Sequence, residues 1–277
     1  MKENTTPNEL LQSDAAPVRK ITRPKRDAAR SKAAGGTWQA EKSLATRTQI
    51  LDATLQCLVE LGYTQTTTEK IAQKAGVSRG AMTHHFKSRA DVFEAAAEYI
   101  TELRAAEYED ACRRIKLPPG NLATFDSMLD TLVVLQKYYY GRASFIALQE
   151  LQRGARTDKA LAQVMEPLEK VLDDKKNASM LKRFPFWADY PETCEVLRDL
   201  FFHSLKGVAV NPTPYMKGDR LHRLHHLLAS VAMMEFEKAY EAAHGSKIPA
   251  TPTPGPESES DPKAEPKARK PRKTTSA

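Results

Sequence analysis

A short run of polar and basic residues could contact a nucleic acid. Ser78 stands directly before Arg79 and would cap a helix whose first backbone amides lack partners within the helix. Such a helix N-terminus, next to a guanidinium group, can bind a phosphate and reach a base edge in the major groove. We therefore predict contacts with double-stranded DNA from Thr67, Ser78, Arg79, Gly80, Thr83, His84, His85, Lys87 and Arg89.

Each side chain in this set also has a plainer interpretation. Arg79 could be a solvated charge beside the cap, but the start of a recognition helix faces the groove. His84 could donate to a phosphate or a base edge, or stay exposed beside the groove. His85 is expected to combine packing with a contact to the DNA backbone, whereas Lys87 and Arg89 are predicted to face phosphates.

Local signals predict the helices that would position these side chains. Gly62 is expected to end one helix with a positive φ, and Thr66 or Thr67 to cap the next. Gly76 supplies the following turn, and Ser88 with Asp91 forms a capping box for a further helix. The preceding helix is amphipathic, with apolar residues at helical spacing at Ile50, Ala53, Cys57, Leu58 and Leu61.

The combined spacings resemble the N-terminal pattern of the tetracycline-repressor (TetR) family. The matching residues are Ile50-Leu51-Asp52-Ala53, Gly62-Tyr63, Thr66-Thr67, Ile71-Ala72, Ala75-Gly76-Val77-Ser78, Gly80, His85-Phe86 and Arg89. The family commonly has tyrosine where this chain has Thr83. The resemblance implies a repressor with a helical body that binds a small molecule, a hinge at the fourth helix, and a dimer built from the last two helices.

The remaining sequence predicts an all-α protein. We expect a disordered basic arm over 1–42, a helix-turn-helix DNA-binding domain over 43–88, a helical ligand-binding and dimerisation domain over 89–244, and a disordered Pro/Lys-rich tail over 245–277. The net charge of +7 lies in the tails, since residues 1–47 and 245–277 together carry +8. The arm is expected to follow DNA phosphates or enter a minor groove, or else to be a solvated tail that aids solubility.

The last two helices carry wide apolar stripes. Their predicted interface residues are Leu200, Leu205, Leu224, Leu228 and Val231. Ordinary core packing explains either stripe alone about equally well. A homodimer is favoured because two heads can occupy successive major grooves.

Aromatic residues in the body suggest a ligand cavity, with core packing as the alternative. The residues predicted to line it are Tyr138, Phe145, Phe184 and Trp187. Three histidines at helical spacing, His222, His225 and His226, could hold a metal. No cysteine or carboxylate completes such a site, so neither a metal nor a cofactor is predicted.

The sequence allows three classes of function. The sequence favours a dimeric transcriptional regulator, expected to be a repressor released from a palindromic operator by an apolar or amphipathic small molecule. The alternative is a structural DNA-organising protein that uses the same head and the basic arms. An enzyme is disfavoured because no phosphate-binding glycine loop, acid–base pair or nucleophile motif is present. With three widely spaced cysteines, no signal peptide and no long apolar span, the predicted location is the cytoplasm, at the nucleoid.

Overall fold

The computed structural model describes residues 32–117, 123–211 and 213–248, with side chains from Trp38 onward. All regular elements in these ranges are helical, which confirms the predicted fold class. The helices are α1 Lys32–Gln65, α2 Thr68–Ala75, α3 Arg79–His85, α4 Arg89–Arg114, α5 Phe125–Tyr138, α6 Ala143–Ala155, α7 Lys159–Arg183, α8 Pro191–Val210 and α9 Gly218–His244, with a 3₁₀ turn at Pro185–Asp189.

Helix α1 begins inside the segment predicted to be disordered. Residues 32–42 are helical, so the expected end of the arm at residue 42 is wrong. The lack of bulky apolar residues predicts disorder, but a helix that is already nucleated by packed residues can continue into a segment that buries little apolar surface. The predicted basic arm upstream of residue 32 and the tail from residue 249 lie outside the described residues.

A glycine separates the long part of α1 from its last turn. Gly62 has φ 76° and ψ 170°. This positive φ interrupts the helix, and residues that carry a Cβ rarely adopt it. The predicted positive φ at Gly62 is confirmed, but ψ 170° lies outside the expected left-handed helical region, and one more helical turn follows. The interruption at Gly62 turns the chain so that α2 and α3 can pack on α1.

Helix α4 joins the head to the body through three apolar clusters. Near its start, Val92 and Ala96 pack with the α1–α3 head. Further along, Phe93 and Ile100 pack with α1, α6 and α7. Tyr108 and the residues after it belong to a third cluster with α5, α8 and α9. A helix of 26 residues spans about 39 Å, so α4 connects two distant regions through one rigid element.

Candidate functional site

The caps of the two short helices fix the geometry of the head. Thr67 precedes α2, and its hydroxyl accepts a hydrogen bond from the Lys70 N–H at 3.3 Å. Ser78 precedes α3 and accepts from the Ala81 N–H at 3.1 Å. Gly76, with φ 64°, ends α2 in the left-handed conformation. These local predictions are confirmed, and they leave α3 as a short helix held at a fixed angle to α2.

Helix α3 has one anchored face and one free face. Met82 on the helix, and Phe86 just after it, are buried against the head. Arg79, Gly80, Thr83 and His84 are exposed together on the opposite side. The Arg79 side chain is 86 % exposed, and its guanidinium lies 3.2 Å from the Glu69 carboxylate. This face is free to enter a groove, since an exposed ion pair of this kind contributes only about 0–1 kcal/mol.

His85 and Lys87 flank the exposed face. Lys87 is exposed, whereas the His85 ring is half-buried next to Phe86. Burial lowers the pKa of His85 below its ordinary value, and the nearby His84 and Arg47 lower it further. His85 therefore favours the neutral form in the free protein, in keeping with the packing role expected for it.

The structure contradicts the predicted role of Arg89. Its guanidinium donates to the Tyr63 carbonyl at 2.8 Å, the Tyr63 hydroxyl at 3.2 Å and the Thr66 carbonyl at 3.2 Å. It also lies over the rings of Tyr63 and Phe93. Because these contacts occupy the group that would bind a phosphate, Arg89 holds the head together instead.

Tyr63 links the head to the body, a role that the sequence analysis missed. Its backbone N–H donates to the Glu150 carboxylate at 3.2 Å, and its hydroxyl donates to Asp158 at 2.7 Å. Burial, followed by the hydrogen bond to Asp158, raises the pKa of the Tyr63 hydroxyl. The ring also lies directly against Gly154 of α6. Nothing local to Gly62-Tyr63 indicates these partners, which are about ninety residues away along the chain.

A narrow, mostly apolar cavity lies among α4, α5, α7, α8, α9 and the 3₁₀ turn. It encloses about 50 Å³. Of the predicted ligand residues, Phe184 and Trp187 line it. Tyr138 and Phe145 do not: Tyr138 lies beside Arg114, and Phe145 packs on Tyr140. The expectation for these two residues is therefore wrong.

Two cysteines and one arginine in the cavity wall were not predicted. Burial raises the pKa of both Cys112 and Cys194 to about 11, so both thiols are protonated near neutral pH. Among the described residues that line the cavity, Arg198 of α8 is the one with a charged side chain. A sequence pattern could have indicated the role of Arg198, because it is the one cation on an otherwise apolar helix face. The residues of that face recur at helical spacing and are Cys194, Leu197, Arg198, Phe201 and Phe202.

The predicted interface residues divide into two groups. Leu205 is fully buried and Leu228 is 6 % exposed within one chain, so these two belong to the core and their assignment to an interface is wrong. Leu200, Leu224 and Val231 are half-buried at the edge of the outer face. The exposed apolar residues on these helices are instead Val196, Leu227 and Met234. A wide stripe predicts burial but does not tell which part of it faces the protein's own core.

The three histidines considered as metal ligands, His222, His225 and His226, do not meet at one point. His225 is buried, while His222 and His226 are exposed, and His226 packs on Phe125. Within the described ranges, no three histidine, cysteine or acidic side chains are close enough together to hold a metal ion. None of the described helices is both long enough and apolar enough to span a membrane.

A capped recognition helix on a three-helix head, followed by a larger helical body, defines a helix-turn-helix DNA-binding protein. Residues 50–96 match the model of bacterial regulatory proteins of the tetR family. Over these residues the chain is similar to the DNA-binding head of TetR family transcriptional regulators.

Curated relatives match either the head alone or most of the chain. An HTH-type transcriptional repressor of Mycobacterium tuberculosis is 44% identical over 62 residues, which cover 22% of this chain and 33% of that protein. An uncharacterized HTH-type transcriptional regulator of the same species is 28% identical over 199 residues, covering 69% and 97%. CymR of Pseudomonas putida, an HTH-type transcriptional regulator, is 24% identical over 204 residues, covering 72% and 95%.

Solved structures share the fold at low identity. A TetR family transcription regulator from Marinobacter aquaeolei superposes with a TM-score of 0.50 at 16% identity, over 70% of this chain and 97% of that one. A putative transcriptional regulator from Streptomyces coelicolor gives 0.50 at 21% identity, over 68% and 97%. These likenesses support the arrangement of a head and a helical body.

Proposed function

We propose that the protein is a homodimeric repressor that occupies a palindromic operator and leaves it when an apolar or amphipathic small molecule fills the cavity of the body. The observation that carries this proposal is the free face of α3, where Arg79, Thr83 and His84 are exposed together beside a capped helix N-terminus. A helix presented in this way fits the major groove.

The exposed apolar residues of α8 and α9 support the dimer. Val196 and Leu227 are each more than half exposed, and Met234 lies on the same helix as Leu227. Burying such residues against a second copy removes apolar surface from water, at about 25 cal/mol for each Å². A dimer also places two α3 helices on one DNA duplex, which explains why the proposed operator is a palindrome.

Helix α4 supports coupling between the two sites. Tyr108 and Cys112 line the cavity, while Val92 and Ala96 of the same helix pack in the head. A ligand that displaces the cavity end of α4 would change the angle of the head. Typical coupling of about 1–3 kcal/mol corresponds to a 5- to 150-fold loss of operator affinity.

The test begins with genome-wide mapping of bound DNA, which supplies the operator. A regulator is expected at one or a few palindromes. Occupancy of hundreds of unrelated sites would favour the DNA-organising alternative, whose support, the basic tails, lies outside the described residues.

Binding of the mapped operator is then measured by fluorescence anisotropy. Arg79→Ala is expected to cost about 1–3 kcal/mol for each recognition helix and to relax specificity. Lys170→Ala is the matched control, because Lys170 is also an exposed cation paired with an acid, Asp174, but on α7. Equal operator affinity for Arg79→Ala and Lys170→Ala would refute the proposed docking of α3.

A further inference from the structure

The cavity wall contains a cation that the apolar lining does not account for. Arg198 projects from the same face of α8 as Cys194, Leu197 and Phe201, all of which line the cavity. Its side chain is only 14 % exposed. A guanidinium this far from water is costly unless anionic or carbonyl oxygens accept its hydrogen bonds.

The partners of Arg198 within the protein do not meet this need. Its Nε is buried and has no hydrogen-bond partner among the described residues. One terminal nitrogen lies 3.4 Å from the Asp173 carboxylate, a long contact for an ion pair. Most of the donor capacity of this guanidinium is therefore not matched by the protein.

Asp173 is also shared with a second cation. Lys176 lies 3.2 Å from the other carboxylate oxygen of Asp173, and its ammonium is 4.2 Å from the centre of the Phe202 ring, which lines the cavity. Burial lowers the pKa of Lys176, Asp173 raises it, and the positive charges of Arg198 and Arg104 lower it. Two largely buried cations thus share one half-exposed carboxylate, which leaves a local excess of positive charge beside an apolar space.

We propose that the cavity binds an amphipathic organic acid whose carboxylate pairs with Arg198 and whose apolar part lies among the aromatic and methionine side chains. This inference rests on the proposed function, in which the same cavity holds the effector. Arginine forms paired, charge-assisted hydrogen bonds with carboxylates, and those bonds would use the unmatched donors.

The cavity lining can adapt to the apolar tail of such an acid. A volume of about 50 Å³ is smaller than a tail of several carbons needs, so the walls must move apart. Met128 and Met180 are flexible members of the wall, and methionine repacks at low cost. Widening the cavity also displaces Tyr108 and Cys112 of α4, the helix that leads to the head.

The test compares three compounds of equal length and different head group: octanoate, 1-octanol and octylamine. Trp187 lines the cavity and reports binding by fluorescence, and Trp38→Phe removes the one other tryptophan. Octanoate is expected to bind about 10- to 100-fold tighter than octanol, since a hydrogen bond to a charged group is worth that ratio. Octylamine is expected to bind weakest. Hexanoate to dodecanoate are measured as well, so that a mismatch in tail length does not hide an acid-binding site.

Variants of the full-length protein then assign the preference to Arg198. Arg198→Gln is expected to remove the preference for the acid, whereas Arg198→Lys keeps part of it. Arg156→Gln, which changes an exposed arginine on the body, is the matched control and should leave it unchanged. A melting temperature for each variant verifies that it is folded.

The inference is overturned if octanol or octylamine binds as tightly as octanoate, if no acid in the series binds, or if folded Arg198→Gln keeps the preference. Measuring operator affinity with each compound tests the proposed function separately from the acid site. Release of DNA by octanol would leave the regulator proposal standing without the acid. Tight binding of octanoate at Arg198 with unchanged operator affinity would support the acid site and contradict the switch.

Discussion

Replacing Gly154 by alanine tests the contact between the head and the body. Gly154 lies inside α6, and a Cβ built there would stand 2.5 Å, 2.6 Å and 2.9 Å from three ring atoms of Tyr63. The ring cannot easily retreat, because its hydroxyl bonds to Asp158 and its face is covered by Arg89. The glycine is therefore required by close approach, not by an unusual backbone conformation.

Two opposing effects set the magnitude. Alanine in place of glycine within a helix stabilises the fold by about 1 kcal/mol through helix propensity. Overpacking against a fixed ring costs about 1–3 kcal/mol. We expect Gly154→Ala to lower the free energy of unfolding by up to about 2 kcal/mol, a fall in melting temperature of roughly 2–4 °C for each kcal/mol.

A double-mutant cycle with Tyr63→Ala isolates the clash. Without the ring, the methyl group of Gly154→Ala has space, so the substitution is expected to become stabilising by up to about 1 kcal/mol. Gly80→Ala is the control for propensity, because its Cβ would approach no atom more closely than the Ser78 hydroxyl at 3.9 Å. Unfolding in urea, followed by circular dichroism, supplies the four free energies.

The sign reversal is the decisive result. If Gly154→Ala is as stable as the parent, and its effect is the same within about 0.5 kcal/mol with and without Tyr63, the two residues are not in the tight contact described here. Operator affinity of Gly154→Ala then shows whether disturbing this contact also disturbs the head.

Two further predictions concern the dimer and the effect of pH. Leu227→Glu should yield folded monomers in sedimentation, since Leu227 is 61 % exposed within one chain. Leu228→Glu should unfold the chain, because Leu228 is only 6 % exposed and a buried charge would be unpaired. A folded dimer of Leu227→Glu would contradict the proposed interface. Burial, and then the charge of His222, lower the pKa of His225. The unfolded chain therefore binds this proton more tightly, so stability holds above about pH 6.5 and falls as the pH drops below it. His225→Gln should lose less melting temperature than the parent between about pH 7.5 and about pH 5.5, and equal losses would show that another group controls the acid sensitivity.

Much of the head could be predicted because its signals are local. Thr67, Gly76, Ser78 and Ser88 each act within three or four residues, through a cap or a positive φ, and each is placed by the sequence alone. The free face of α3 follows from these caps once Met82 is taken as the anchor of the helix.

Long-range contacts explain the wrong assignments. Arg89 is basic and near the recognition helix, so sequence reasoning places it on DNA. In the fold, the chain reversal at Gly62 brings the Tyr63 carbonyl within 2.8 Å of its guanidinium. Leu205 and Leu228 lie in stripes that face two directions, and only the packing of α5 and α8 against α9 decides which residues are covered within one chain.

The cavity residues show both what a sequence pattern fails to predict and what it can predict. Tyr138 and Phe145 are near each other in sequence, but α5 ends between them, and the two rings pack in different places. Arg198, in contrast, interrupts an apolar face that recurs along α8 at Cys194, Leu197 and Phe201. A cation on such a face must either reach water past the helix edge or find an anion inside. Its low exposure and unmatched Nε favour the second outcome, and for that reason the acidic head group of the proposed ligand, rather than its apolar part, is the feature that the cavity is expected to select.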